Sequence, residues 1–218
     1  MAFPSASRKS DDPEFLKPFK PDDFAQDPKQ VHIARDTNAG FLFRVDPQLG
    51  ASVVILVQSA IKPDWDYAFH NALYLLASPP EVKSFEPNFA KGERLQFLLV
   101  TNPTKRFSKN SLEKNGQPVA DGWIGKRVPV ATEQLYEWLS RRSEKAGYYA
   151  EKDSVIVQPG YIYVNEKLEG NGYRLRSVRY SGQLTVIDPE RFRETIIHGI
   201  GPGKAYGFGL ISVARLNF

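Results

Sequence analysis

The chain has no cysteine, which excludes disulfides and thiolate metal centres and agrees with a reducing compartment. It also lacks any run of about 18 apolar residues, the length a membrane-crossing helix needs. Its opening, MAFPSASRKSDDPEF, has no apolar stretch of the kind a secretory signal carries. Together these absences point to a cytoplasmic protein without a membrane partner. Histidine is scarce, with only His32, His70 and His198 available for proton transfer near neutral pH.

What the chain does have is apolar content and unevenly placed charge. Hydrophobic residues make up 41% of the 218, enough for a real core in one domain or two small ones. The net charge of +4 hides an asymmetry, because residues 1–93 hold 10 Lys and Arg against 13 Asp and Glu, whereas residues 94–218 hold 19 against 12. A basic second half joined to a mildly acidic first half suggests that one part faces a polyanion.

Prolines at positions 4, 13, 18, 21 and 28 interrupt every helical start, so residues 4–38 read as a long irregular segment. Beyond it, GFLFRVD (Gly40–Asp46) and ASVVILVQS (Ala51–Ser59) read as a hairpin around Pro47 and Gly50. Trp65, Ala68, Phe69, Ala72, Leu73 and Leu76 then recur at helical spacing until Pro79, predicting one amphipathic helix, and Val82–Phe85 is a candidate short strand.

In the second half, RLQFLLVTNP (Arg94–Pro103) reads as a strand ending in a long polar loop, and Thr132 as the cap of a helix bearing Leu135, Trp138 and Leu139. SVIVQPGYIYV and YRLRSVRYSGQLTVI follow as strands. Val178, Tyr180, Leu184 and Val186 share one parity, but Tyr173 and Leu175 fall out of phase, which predicts either a bulge or a protruding hairpin. Asp188-Pro189 opens a helix that Gly199 closes, and FGLISVARL is the last strand. The order β-α-β-β-α-β is that of the ferredoxin-like fold. The expected class is α+β, with tandem ferredoxin-like (RRM-like) domains over residues 1–93 and 94–218, the first short of its opening strand and helix.

The final turn, GIGPGKAYGFGLISV (Gly199–Val213), spends five glycines and one lysine between helix and strand. Free amides beside a lysine can hold phosphate oxygens, and glycine permits close backbone approach. It is not a Walker A loop, since His198 stands where that pattern needs glycine and Ala205 follows the lysine. Lys204 is the leading phosphate candidate. Lys105, Arg106, Lys126 and Arg127 bracket the long loop, either as solvated charge or as backbone contacts. Arg174, Arg176 and Arg179, interleaved with Tyr173 and Tyr180, serve either to line an A-form groove or to keep an exposed strand soluble. Arg141 and Arg142 complement a helix dipole, and His198 either does the same for its own helix or, beside Lys204, contacts an RNA.

The terminal motif, together with FLFRV at Phe41–Val45, VILVQS at Val54–Ser59, TNPTK at Thr101–Lys105, GKRVPV at Gly125–Val130 and VRYSGQLTVID, resembles the CasE family, the CRISPR-associated endoribonucleases of type I-E systems. The resemblance implies binding of a CRISPR repeat stem-loop, cleavage at its base by metal-independent attack of a ribose 2′-OH, and retention of the product with the other Cascade subunits. No cofactor or metal is implied. The family histidine lies roughly two turns before a Phe-Pro pair that resembles Phe3-Pro4, so it is expected upstream of Met1, and no catalytic residue is assigned within the chain. The RNA-binding set is Lys105, Arg106, Lys126, Arg127, Arg174, Arg176, Arg179 and Lys204. A non-catalytic subunit that holds the processed hairpin is the alternative, and a small-ligand protein with an incidental basic face is a third reading.

Overall fold

The computed structural model describes residues 40–48, 50, 52–110, 116–118, 120–164 and 172–216. The chain divides into units at Ala39/Gly40, and the described residues all belong to the second. The Pro-rich segment, Phe3-Pro4 and His32 lie outside them. No helix among the described residues is long and apolar enough to cross a membrane.

Alternation of apolar side chains builds the central sheet. Strand β3 (Arg94–Thr101) buries Leu95, Phe97, Leu99 and Thr101, every second residue, so one face of it is apolar. Its antiparallel neighbour β8 (Tyr173–Val186) sets Leu184 against Leu95, Tyr180 against Leu99 and Val178 against Thr101, doubling that face. On the other side of β3 runs β9 (Ile211–Arg215), with Ile211 opposite Leu99. The short β6 (Tyr148–Ala150) and the longer β7 (Ile156–Val164) both pair with β8.

Two helices cover this face. Helix α2 (Leu135–Lys145) contributes Leu135, Trp138 and Leu139, and α3 (Pro189–His198) contributes Phe192 and Ile196. Asp188 caps α3 through its carboxylate, which accepts from the Arg191 amide at 3.2 Å, with Pro189 at the first helical position. Strand order β6/β7-β8-β3-β9 with both helices on one face is the ferredoxin-like arrangement expected from the β-α-β-β-α-β order.

The phase slip in β8 resolves without a bulge. Pairing between β7 and β8 is continuous from Ile156↔Ser181 to Val164↔Tyr173, whereas β3 stops pairing at Val178. Beyond that point β7 and β8 leave the sheet as a two-stranded ribbon, so neither of its faces belongs wholly to the core.

The first half departs more from expectation. Strands β1 (Phe41–Pro47) and β2 (Val53–Ser59) form the hairpin read from the sequence. The helix predicted from Trp65 to Leu76 is instead α1 (Trp65–Ala68) and a separate 3₁₀ turn at Leu73–Leu75, neither with a buried residue. Asp64 caps α1, accepting from the Tyr67 amide at 2.9 Å, but an apolar stripe with nothing among the described residues to bury against does not repay helix nucleation. No strand forms at Val82–Phe85.

Candidate nucleic-acid interface

The long polar loop folds on itself. Strand β4 (Thr104–Arg106) pairs antiparallel with β5 (Arg127–Pro129), placing Arg106 directly opposite Arg127 and Lys105 opposite Val128. The pairing continues through Phe107 N–H to the Lys126 carbonyl at 3.1 Å. Aromatic rings lie between the cations. Phe107 meets Trp123 edge-on at 6.5 Å, the Lys105 ammonium sits 5.9 Å from the Phe107 ring, and that of Lys126 sits 5.1 Å from the half-exposed Trp123 ring. Like charges directly across a ribbon repel, yet among the described residues no carboxylate pairs with Lys105, Arg106, Lys126 or Arg127. The ribbon is fixed to the body by the Trp138 indole N–H, which donates to the Thr104 carbonyl at 3.3 Å, and by the Val130 amide on the Pro103 carbonyl at 3.0 Å.

The β8 arginines divide by parity. Arg174 and Arg176 share the helix-side face with Val178 and Tyr180. Arg174 stacks 4.7 Å over Tyr161, and Arg176 donates from Nη2 to Thr132 Oγ1 at 2.7 Å, leaving its buried Nε without a partner among the described residues. That contact explains why Thr132 does not cap α2 as expected: its hydroxyl serves Arg176, and a 3₁₀ turn, Thr132–Gln134, leads into the helix instead. Arg179 points to the opposite face, 3.6 Å from Asp46, which also holds the buried Arg44 at 2.9 Å. Arg44 in turn donates to Ser212 Oγ at 2.8 Å. Tyr180 is part of the core, its hydroxyl donating to the Leu135 carbonyl at 3.1 Å and held protonated by burial.

The glycine-rich bend has a buried base and an exposed tip. Gly199 at φ +71° and Gly209 at φ +93° let two strands of backbone nearly touch. The Ile200 amide donates to the Gly209 carbonyl at 2.9 Å, and the Gly209 amide to Val100 at 2.8 Å. A Cβ on Gly199 would stand 2.8 Å from the Gly209 oxygen and as close to Leu42. The close approach that these two glycines permit is therefore to the protein's own backbone. The tip, a 3₁₀ turn at Lys204–Tyr206, is exposed, and Lys204 has no ion-pair partner among the described residues. The Tyr206 hydroxyl meets that of Tyr173 at 2.5 Å, tying the tip to the β7–β8 ribbon.

Of the eight residues singled out from the sequence, four converge on the β4–β5 ribbon, Arg174 and Arg176 share a ribbon face, Lys204 tops the bend, and Arg179 lies apart with Asp46. Sequence reasoning missed the aromatic floor. Trp138 and Arg142, four apart on α2, stack with the guanidinium 4.6 Å from the ring, and that spacing was the available signal. The described histidines stay outside this surface. His70 is exposed, and His198 folds back on its own helix, 3.0 Å from the Glu194 carbonyl and 3.2 Å from its carboxylate.

A family model described as CRISPR associated protein matches residues 22–215. The CRISPR-associated endoribonuclease Cse3 of Thermus thermophilus is 34% identical over 184 residues, spanning 79% of each chain. The CRISPR system Cascade subunit CasE of Escherichia coli K12 is 28% identical over 87% of this chain and 86% of its own. Among solved structures, CRISPR endoribonuclease Cse3 bound to a 19-nucleotide RNA superimposes with a TM-score of 0.65 at 32% identity, covering 85% of both chains.

Proposed function

The chain belongs to the CRISPR-associated protein family, and on that premise we propose that it is an endoribonuclease of CRISPR RNA, binding the repeat stem-loop, cutting at its base and keeping the product within a Cascade assembly in the cytoplasm. The observation that carries this reading is the β4–β5 ribbon, where Arg106 faces Arg127 on one side, Lys105 and Lys126 flank the half-buried Phe107 and the exposed Trp123 on the other, and none of the four pairs with a described carboxylate. Such a surface suits a sugar-phosphate backbone, which an A-form stem presents in place of readable base edges. Arg174 and Arg176 extend it along one ribbon face, and Lys204 adds a cation at the tip of the bend. Arg179, engaged by Asp46, holds the ribbon base to β1 and is the weakest of the eight as an RNA contact. Residues 1–93 and 94–218 are taken as two ferredoxin-like domains, the second being the RNA-binding one.

In this scheme the ribose 2′-OH gives up its proton and attacks the adjacent phosphorus, the 5′ oxygen leaves and takes up a proton, and a 2′,3′-cyclic phosphate remains. The cations of the two ribbons and the bend position the backbone and offset charge on the phosphorane. Incubating the protein with a repeat hairpin RNA tests the reading. Cleavage that persists in chelator and leaves a cyclic phosphate is expected, whereas a tight complex with intact RNA would make the chain a hairpin-holding subunit. Lys204→Ala should weaken binding and flatten the dependence of log K on log salt by about 0.7–0.9, the effect of one lost phosphate contact.

A further inference from the structure

We propose that Arg142 and Arg127 form a two-guanidinium seat for one phosphodiester of the bound RNA, with Trp138 as its floor. The inference rests on the RNA-binding reading above and extends it to a residue on α2. Trp138 is 4% exposed and stacks nearly parallel on Tyr180, at 13° and 6.3 Å, so its ring is fixed by the core. The Arg142 guanidinium lies 4.6 Å from that ring's centroid. Stacking fixes the plane of a guanidinium while leaving its N–H edge free, and that edge is the fork that takes two phosphate oxygens.

Arg127 approaches the same unit from β5. Its Nη1 donates to Thr104 Oγ1 at 3.3 Å, and the carbonyl of Thr104 is the acceptor for the Trp138 indole, also at 3.3 Å. One threonine thus anchors the floor and one wall of the seat. Two further facts single out Arg142 among the α2 cations. Its neighbour Arg141 reaches Glu137 at 3.8 Å, whereas Arg142 has no carboxylate partner among the described residues. Arg142 is also the half-buried one, and its pKa is lowered first by desolvation and then by the charges of Arg127 and Arg141. A partly desolvated cation held near another cation is a cost to the free fold. A phosphate between them removes that cost, and Arg106, directly opposite Arg127 on the same ribbon face, continues the track for a polymer instead of a lone anion.

The test compares Arg142→Ala, Arg142→Lys and Arg141→Ala in binding of a repeat hairpin RNA across a salt series. Arg142→Ala should lose about 5- to 10-fold in affinity near 0.1 M salt and flatten the salt slope by about 0.7–0.9. Arg142→Lys should keep the slope, because the charge remains, but recover only part of the affinity, because the planar fork does not. Arg141→Ala should match the parent in both. Thermal melting accompanies each variant; if Arg142→Ala melts early, the lysine variant, which keeps the aliphatic stem, decides. Parental affinity and slope in Arg142→Ala, or an equal loss in Arg141→Ala, overturns the seat while leaving the RNA-binding reading intact. Failure of the parent to bind the hairpin overturns both.

Discussion

Strands β2 and β8 draw on similar apolar residue types and end in opposite surroundings. In β8, Val178, Tyr180 and Leu184 are fully buried, because β3 flanks the strand on one side, β6 and β7 on the other, and two helices close the face. In β2, Val53, Val54, Ile55 and Leu56 remain 41–59% exposed, because β1 is its one partner among the described residues. The contrast teaches that apolar content specifies a strand, while burial depends on how many elements close around it. Full burial stabilises a side chain of this size by about 1.5–3 kcal/mol, a gain β2 largely forgoes here.

The comparison can be broken most sharply at Phe192, fully buried against Phe89 and Tyr148 with ring centroids at 4.7 and 5.4 Å. Phe192→Ala should cost about 3–5 kcal/mol in denaturant unfolding, and Ile55→Ala should stay within about 0.5. An equal cost at Ile55 would mean that β2 is packed in solution. Glycines offer a second contrast. Gly199→Ala places a Cβ 2.8 Å from the Gly209 oxygen in addition to the positive-φ penalty, for about 2–3 kcal/mol. Gly50→Ala, at φ +86° with nothing within 4 Å, should cost only about 1. Equality between the two would show that the bend relaxes.

The smallest effect concerns pH. Arg94 grips Glu151 through two bonds, at 3.1 and 3.0 Å, and Thr185 adds a third at 3.1 Å. The hydrogen bonds from Arg94 hold the Glu151 carboxyl below its usual range, against some desolvation. The stability this gives is present above the unfolded-state value near pH 4.3 and disappears as acid protonates the folded form. Glu151→Gln should therefore unfold more readily than the parent at pH 7, and the gap should close on titration below pH 4. A gap that persists there would assign the contribution to packing.

Much of the second half was legible because its signals are local. Alternation marked the core faces of β3 and β8, Asp188-Pro189 and Gly199 bounded α3, and the slip at Tyr173 and Leu175 narrowed that stretch to a bulge or a protruding hairpin, of which the hairpin forms. The first half misled because helical spacing from Trp65 to Leu76 describes a stripe and says nothing about a surface to receive it. Among site residues, charge made the lysines and arginines of the long loop visible. Their convergence was hidden because the β4–β5 pairing closes across the twenty residues 107–126, which no local pattern encodes. Arg179 stands apart from Arg174 and Arg176 for a simpler reason: an odd offset sends it through the sheet to Asp46.

The meeting of Tyr173 and Tyr206 joins two parts that the proposed function sets against the RNA at different points. If the proposed stem-loop tilts the ribbon, this contact would draw the lysine tip along with it, linking docking at one place to reach at the other. Phenylalanine at either position would keep the ring and uncouple the motion.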